Sequence, residues 1–199
     1  MTSHAASASP AETFPALASL LETRRSAMPD MLVEPGPNPE ELSRILTIGL
    51  RVPDHGRLAP WRLILIAGEA KKRWLDRLLA IAETRPDAAK ARVSARKLQS
   101  APLVVAVVSA PIAEHKIPEW EQQLSAGALA MNLLNGVTAL GYGANWLTGW
   151  HAYDPQATAL LGLQEKERIA AMVAIGSISQ PTPERERATQ DRVVSRLEL

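Results

Sequence analysis

One unbroken apolar run constrains the fold of this chain more than any other feature. Residues 102–110 read PLVVAVVSA, a continuous run with four β-branched valines and no polar alternation. Such a run is typical of a central strand that is covered on both faces. The chain has 199 residues, of which 46% are hydrophobic, so it is long enough to build the core that this strand requires.

Helices and buried strands alternate on either side of this run. Two further core strands are predicted at residues 62–68 and 168–177, and a short strand or loop at 142–149. Helices are predicted at residues 14–23, 39–50, 69–83, 86–100 and 117–141, and directly after Asp154. The pattern predicts an α+β or three-layer single domain over residues 14–199, and the Ala/Ser-rich residues 1–13 are expected to form a flexible tail.

The helix that begins near residue 39 has the clearest boundaries. Asn38 is a favourable N-cap, Pro39 suits the first helical position, and Glu41 completes a pattern that resembles a capping box. Pro53 is expected to stop this helix, because proline cannot continue the hydrogen-bond ladder. Residues 28–38, rich in proline and glycine, are predicted to form an irregular connector.

The longest predicted helix, residues 117–141, is small and apolar nearly all round between Ser125 and Ala139. A helix of this kind is buried, either in the core or against another subunit. If that face is intersubunit, a charge at Ala130 is expected to break a dimer.

Composition excludes several classes of protein. The formal net charge is +1 with basic and acidic residues in balance, which argues against a nucleic-acid-binding protein. The chain has no cysteine, so it has no disulfides, thiolate nucleophiles or cysteine metal sites, in keeping with a cytoplasmic protein. No apolar run approaches the ~20 residues that cross a bilayer, so we expect no membrane anchor.

Familiar catalytic motifs are absent from the sequence. The four histidines form no HExxH pair, so no metal site is expected. Asp54 and His55 could serve a hydrolase, but there is no GxSxG elbow, and a turn or salt-bridge role suits Asp54 better. No GxGxxG follows a strand, which argues against a dinucleotide-binding fingerprint.

Two donor-rich clusters are the best candidates for a ligand site. One lies in TRRS at the end of the first helix, and the other in RVPDHGRLAPWR, residues 51–62. A phosphate monoester needs several converging N–H and O–H donors, and arginine presents them in a planar fork. The alternative is that both clusters are solvated surface charge. The donors are Arg24, Arg25 and Ser26 in the first cluster, and Arg51, His55 and Arg57 in the second.

Three of the five tryptophans bear on the same question. Trp74 lies on an amphipathic helix stripe and is expected in the core. Trp146 and Trp150 flank the segment LTG, where they could line a pocket for a flat ligand or simply pack.

Five segments in fixed order resemble the FMN-dependent nitroreductases, and most of all their compact YdjA-like NAD(P)H-linked members. The segments are TRRS, LRVPDHGRLAPWR, EWEQQLSAGALAMNLL, ALGYGANWLTG and AIGSISQPTPERER, and they extend from about Leu17 to the C-terminus. The resemblance implies an α+β nitroreductase-like three-layer α/β/α fold with a mostly antiparallel sheet. It also implies an interlocked homodimer with FMN at the subunit interface.

The resemblance further assigns roles to particular residues. It implies that Arg24, Arg25 and Ser26 contact FMN, and that Arg51 and His55 complete its phosphate and ribityl side. Trp146, Leu147 and Thr148 would lie along the flavin. Larger relatives hold the phosphate with a late basic pair, for which Arg185 and Arg187 are the substitutes in this chain. The segment GVTALG corresponds to a stretch assigned to the nicotinamide dinucleotide, and its residues are Gly136, Val137, Thr138, Ala139, Leu140 and Gly141.

The chemistry implied by this resemblance belongs to the flavin. NADH or NADPH would deliver hydride to N5, and a nitroaromatic, a quinone or a similar small acceptor would then take its place in a ping-pong cycle. The protein would supply orientation and electrostatics, without a catalytic side chain. The alternative is a non-catalytic flavin-binding or interaction protein on the same fold.

Overall fold

A computed structural model of the chain describes residues 14–198, so the predicted tail at 1–13 lies outside the described residues. Five strands form one sheet: β1 (Leu32–Val33), β2 (Trp61–Ala67), β3 (Leu103–Ser109), β4 (Gly143–Leu147) and β5 (Arg168–Ile178). The helices are α1 (Pro15–Thr23), α2 (Pro39–Gly49), α3 (Gly68–Glu83), α4 (Ala88–Arg96), α5 (Glu119–Ala139), α6 (Pro155–Ala159) and α7 (Gln190–Val193).

The described strands are all paired antiparallel, and β5 is the strand that holds the sheet together. One edge of β5 pairs with β3, which pairs in turn with β2. The strand β5 also pairs with β4 along Met172–Gly176 and with β1 at its last two residues. The predicted antiparallel sheet is therefore confirmed.

The sheet lies between two helical layers, as predicted. Val105 and Val107 of β3 face a core built with α2 and α5, whereas Val104 and Val108 face a second core built with α3, α4 and α6. Because successive side chains of a strand point to opposite faces, a strand inside three layers must be apolar at every position. All seven residues of β3 are buried accordingly.

Local signals predicted the start of α2 correctly. The Asn38 side chain accepts hydrogen bonds from the backbone N–H groups of Glu40 and Glu41, and the Glu41 carboxylate accepts one from the Asn38 N–H. This is the predicted capping box. The helix ends at Gly49, four residues before the proline that we expected to stop it.

The structure corrects two further expectations. The connector at 28–38 contains β1, in which Leu32 pairs with Ile178 and has a fully buried side chain. Ala130 is also fully buried, in the protomer's own core with Leu133 and Ala171, so it does not lie on an intersubunit face. The side of α5 that faces outward instead carries Trp120, Leu124 and Met131.

Candidate functional site

The segment 24–26 leaves α1 and runs beside β4. The N–H of Ala27 donates to the Ala144 carbonyl over 3.1 Å, and the Asn145 side-chain amide donates to the Ala27 carbonyl. Arg24 Nη1 donates to Ser26 Oγ at 3.4 Å. The residue that follows the predicted segment 24–26 is therefore bonded to β4, the strand that leads into the predicted segment 146–148.

Four arginines gather beside this segment and form an arginine cluster: Arg24, Arg25, Arg185 and Arg187. Arg25 donates to the Pro183 carbonyl, and its Nη1 lies 3.4 Å from the Glu184 carboxylate. Arg187 Nη2 lies 3.5 Å from the Arg24 carbonyl oxygen and 3.4 Å from Glu184 Oε1. The structure thus brings the late residues 185–187 to the early cluster, as the resemblance implied for a phosphate grip.

The charge in this cluster is unbalanced. Partial burial is the main cause that lowers the pKa of the Arg24 guanidinium, and the neighbouring charges of Arg187, Arg25 and Arg185 lower it further. Glu184 is the carboxylate within ion-pair distance, and the backbone N–H of Arg185 together with the arginines lowers its pKa. Glu184 pairs with Arg25 and Arg187, whereas Arg24 and Arg185 add two further positive charges nearby. This donor set fits a phosphate dianion, which would offset the repulsion among the four guanidinium groups.

An apolar cavity of about 520 Å³ begins two residues beyond Ser26. One wall consists of residues 28–30, and the other is α4 with the turn that follows it. Val93 of α4 is 63% exposed on this wall, and Lys97 lies beside it. A smaller hollow continues along α4 past Ser94. The Ser94 hydroxyl closely approaches Gly149, which lies in the loop of residues 148–154 that follows β4. The cavity therefore begins just after the segment 24–26, and its extension along α4 approaches the loop that follows residues 146–148.

Sequence reasoning missed α4 as part of the site, because residues 86–100 read as an ordinary polar helix. The signal that could have found it is Val93, an apolar residue with no inward partner on an otherwise charged and small-residue stretch.

The residues at the end of β4 and in the loop that follows it differ in their exposure and contacts. Trp146 is partly exposed, whereas Leu147 packs against the core. Trp150 donates its indole N–H to the Ala91 carbonyl at 2.9 Å, and the Arg85 guanidinium lies 4.7 Å above its ring. Of the two readings that the sequence left open for Trp150, the structure favours packing between α3 and α4.

His151 is the most perturbed group of this loop. Its side chain is 3% exposed, and neither ring nitrogen has a hydrogen-bond partner among the described residues. Burial lowers the pKa of His151 to about 4, so the ring is neutral at pH 7. The imidazole lies against Gly149, where no larger residue would fit, and it therefore supports the turn that follows Thr148.

The segment RVPDHGRLAPWR folds into a pinned loop. The Asp54 carboxylate accepts from the N–H groups of Leu58 at 3.1 Å and Ala59 at 2.8 Å. Positive φ angles follow one another here, at 74° for Gly56, 56° for Arg57 and 46° for Ala59. Backbone strain of this kind persists only where surrounding contacts hold it. Asp54 is thus a turn residue, as the sequence suggested.

The contacts of this loop are with α5: the His55 side chain and the Arg51 backbone both bond to residues of that helix. His55 Nδ1 lies 2.7 Å from Glu121 Oε2, and the Arg51 carbonyl accepts from the Asn132 side chain at 3.1 Å. Among residues 14–198, no hydrogen bond or ion pair joins this loop to Arg24, Arg25, Arg185 or Arg187. Within one protomer the two predicted clusters are therefore separate.

Residues 136–141 form the end of α5 and the turn after it. Gly136 and Val137 are buried, and a Cβ on Gly136 would lie 3.1 Å from Ile48 Cγ2 of α2. Thr138 donates its hydroxyl to the Leu134 carbonyl, within the helix. Ala139 and Gly141 are the exposed members of the segment, so a dinucleotide could reach the segment only there.

The described residues contain neither a cluster of metal ligands nor a membrane-spanning helix. No group of three or more histidine, aspartate or glutamate side chains in residues 14–198 is placed to hold a metal ion. Within the same range, no helix combines the length and the apolar character needed to cross a bilayer.

Comparison with known proteins identifies the class to which this fold and site belong. The model of the Nitroreductase family matches residues 21–177, so the chain belongs to the nitroreductase family. The chain is similar to a protein from Escherichia coli named "Putative NAD(P)H nitroreductase YdjA", with 36% identity over 162 residues, or 79% of this chain and 86% of that one. It is also 35% identical over 163 residues to a protein of Haemophilus influenzae named "Putative NAD(P)H nitroreductase", with the same coverage.

Solved structures agree on the fold. A nitroreductase-like family protein from Bacillus cereus superposes with a TM-score of 0.81 at 22% identity, covering 95% of this chain and all of that one. A nitroreductase with bound FMN from Bacteroides fragilis superposes with a TM-score of 0.71 at 18% identity, covering 92% and 98% of the two chains. The nitroreductase-like fold expected from the sequence is confirmed.

Proposed function

We propose that this protein is an FMN-dependent oxidoreductase that passes electrons from NAD(P)H to a nitroaromatic, a quinone or a similar small acceptor. One arrangement carries the proposal: four arginines gather near the single carboxylate of Glu184, and the chain runs from Ser26 of this cluster into Met28 on the wall of an apolar cavity. A phosphate on a flat apolar ring system satisfies both features. The names of the similar proteins, which mention NAD(P)H and bound FMN, support the same assignment.

Each part of the site has a place in this proposal. Arg24, Arg25, Arg185 and Arg187 would bind the phosphate, with Ser26 beside them. Bound FMN would supply hydride transfer from NAD(P)H and then to the acceptor, in alternating half-reactions. Met28 and Val93 would contact the isoalloxazine and exclude water from it. Lys97 would contribute positive charge beside the ring system, where it favours an electron-rich flavin.

The second cluster fits the same ligand only in a dimer. Arg51 and His55 have no contact with the arginine cluster of their own protomer, so we assign the partner subunit's Arg51 and the partner subunit's His55 to the site. The outward face of α5 supplies a matching interface, because Trp120 is 67% and Leu124 53% exposed in the protomer. Apolar side chains exposed along one helix face mark an association surface.

Three measurements on the purified protein test the proposal. We expect a yellow protein that releases FMN on denaturation and oxidises NAD(P)H when a nitroaromatic or quinone is added. Parallel initial-rate lines at varied acceptor would indicate the ping-pong order. A colourless protein that FMN does not reconstitute would overturn the proposal. A yellow protein without NAD(P)H turnover for any acceptor would support the non-catalytic alternative instead.

Mixed dimers test the shared site. The variants Arg24→Ala and His55→Ala should each bind FMN weakly as homodimers. Unfolded together and refolded as a mixture, they form heterodimers in which one of the two sites has both native clusters. We expect FMN binding and activity to return to about half of the active sites in those heterodimers. If mixing restores nothing, both clusters act within one protomer.

A further inference from the structure

A second cavity, of about 470 Å³, lies between α3 and the turn after α4. It is separate from the arginine cluster, but it shares three lining residues with the apolar cavity proposed for the flavin: Arg96, Gln99 and Ser100. The Ser100 hydroxyl donates to the Pro29 carbonyl between the two cavities. A ligand that extends from the first cavity around this turn would enter the second.

Lys71 is the unusual residue of this second cavity. Lys71 is only 8% exposed, and its side-chain ammonium donates a hydrogen bond to the Gln99 carbonyl at 2.7 Å. No carboxylate among residues 14–198 lies within ion-pair distance of it. Burial lowers the pKa of Lys71, and the more distant charge of Glu34 opposes this effect. A buried ammonium with one neutral acceptor retains two unused donors and an unpaired charge.

The surroundings of Lys71 indicate what would pair with it. Lys72 and Arg96 also line the cavity, together with the carboxylates of Glu34 and Asp76, so cations exceed anions. Leu75, Leu79 and Pro102 supply an apolar part of the wall. The cavity is too large for a lone inorganic anion, whereas a phosphate attached to a nucleoside would use both the cations and the apolar wall.

We propose that this cavity binds a phosphate monoester on a nucleoside, namely the 2′-phosphate and adenosine of NADPH, and that Lys71 sets the preference for NADPH over NADH. This inference rests on the proposed function, because it requires a nicotinamide donor at the flavin. It also conflicts with an assignment of the donor to residues 136–141, because the α5 layer and the α3–α4 layer lie on opposite faces of the sheet.

Calorimetry tests the cavity without reference to turnover. We expect 2′,5′-ADP to bind the purified holoprotein at least tenfold more tightly than 5′-AMP, which lacks the 2′-phosphate. Lys71→Met should remove this difference, Lys71→Arg should retain part of it, and the exposed control Lys166→Met should retain all of it. Equal affinities for the two nucleotides, or inorganic phosphate binding as tightly as 2′,5′-ADP, would overturn the proposal.

Steady-state kinetics tests the preference. The wild-type ratio of kcat/KM for NADPH to that for NADH should fall at least tenfold in Lys71→Met, mainly through KM for NADPH. If Ala139→Arg changes the ratio and Lys71→Met does not, the donor lies at the end of α5 and the inference is wrong. If Lys71→Met does not fold, Lys72→Met provides the same comparison at the same cavity. Absence of flavin or of turnover would overturn the proposed function, whereas the calorimetric result would still decide the Lys71 site.

Discussion

Arg187 and Arg24 meet although 163 positions separate them in the chain: Arg187 Nη2 lies 3.5 Å from the Arg24 carbonyl oxygen. The late arm of the protein therefore closes over the segment that follows α1. The positive charge of the four arginines exceeds the negative charge beside them, because the single carboxylate of Glu184 is shared between Arg25 and Arg187. The two ends of the domain are brought together around a place suited to an anion.

Removal of one guanidinium should have opposite effects in the free and the FMN-bound protein. Arg24→Ala relieves repulsion among the arginines, so the apoprotein should be at least as stable as wild type in urea unfolding. The same change should weaken FMN binding by about 1.5–3 kcal/mol, because a charge-assisted phosphate contact is lost. Fluorescence titration with FMN measures this difference. The exposed control Arg73→Ala should change neither the stability of the apoprotein nor its affinity for FMN. An unaltered FMN affinity in Arg24→Ala would show that the segment 24–26 is only a solvated helix end.

Adjacent positions on α5 should respond differently to a charge. Met131 is partly exposed on the outward face, so Met131→Glu should dissociate the proposed dimer while the far-ultraviolet circular dichroism persists. Ala130 is fully buried, so Ala130→Glu should instead unfold the protomer, because an unpaired buried carboxylate costs several kcal/mol. Light scattering and circular dichroism separate the two outcomes. A dimeric Met131→Glu protein would exclude this face as the interface.

Acid should destabilise the protein through His151. Its pKa is about 4 in the folded state and near 6.5 when unfolded, so the unfolded chain binds the extra proton between these values. Stability from this residue is therefore complete above pH 6.5 and is lost as the pH falls toward 4, by about 2–3 kcal/mol. Urea unfolding of the wild type and of His151→Phe at pH 7 and pH 4.5 measures it. An equal acid loss in both proteins would contradict this assignment.

Asp54 should be a structural and not a catalytic residue. Asp54→Ala removes the acceptor of two backbone N–H groups in a loop with consecutive positive φ angles. We expect the free energy of unfolding to fall by about 1–3 kcal/mol. With FMN saturating, kcat should fall by less than threefold, because the flavin carries the reaction. A loss of kcat by several orders of magnitude at an unchanged melting temperature would assign Asp54 to the chemistry.

Features that depend on nearby residues could be predicted from the sequence. The capping box of Asn38 and Glu41 forms within four positions, and the burial of β3 follows from its own composition. In contrast, β1 has two residues, and it is a strand only because Ile178 and Ser177 pair with it across the chain. No local pattern carries that information, so the segment read as a connector.

Some residues of the candidate site could likewise be predicted from the sequence, and others depend on tertiary packing. Resemblance supplied Arg24, Arg25 and the late arginines, and the fold shows how they converge. Lys71 and Val93 were not predicted, because each looks ordinary on its helix. Their environment depends on how α3, α4 and the segment after Ser26 pack together, which is a property of the tertiary structure alone.

The central position of β5 also governs how the protein matures on the ribosome. Before residues 168–178 are synthesised, β2 and β3 can pair only with each other, β3 still lacks β5, and β4 and β1 have no partner. Chains emerge from the N-terminus at roughly 5–20 residues per second, so the segment 24–26 waits about 8–32 seconds for the arm with Arg185 and Arg187. Cofactor capture is therefore a late event of biosynthesis, and nascent chains must tolerate exposed strand edges until then.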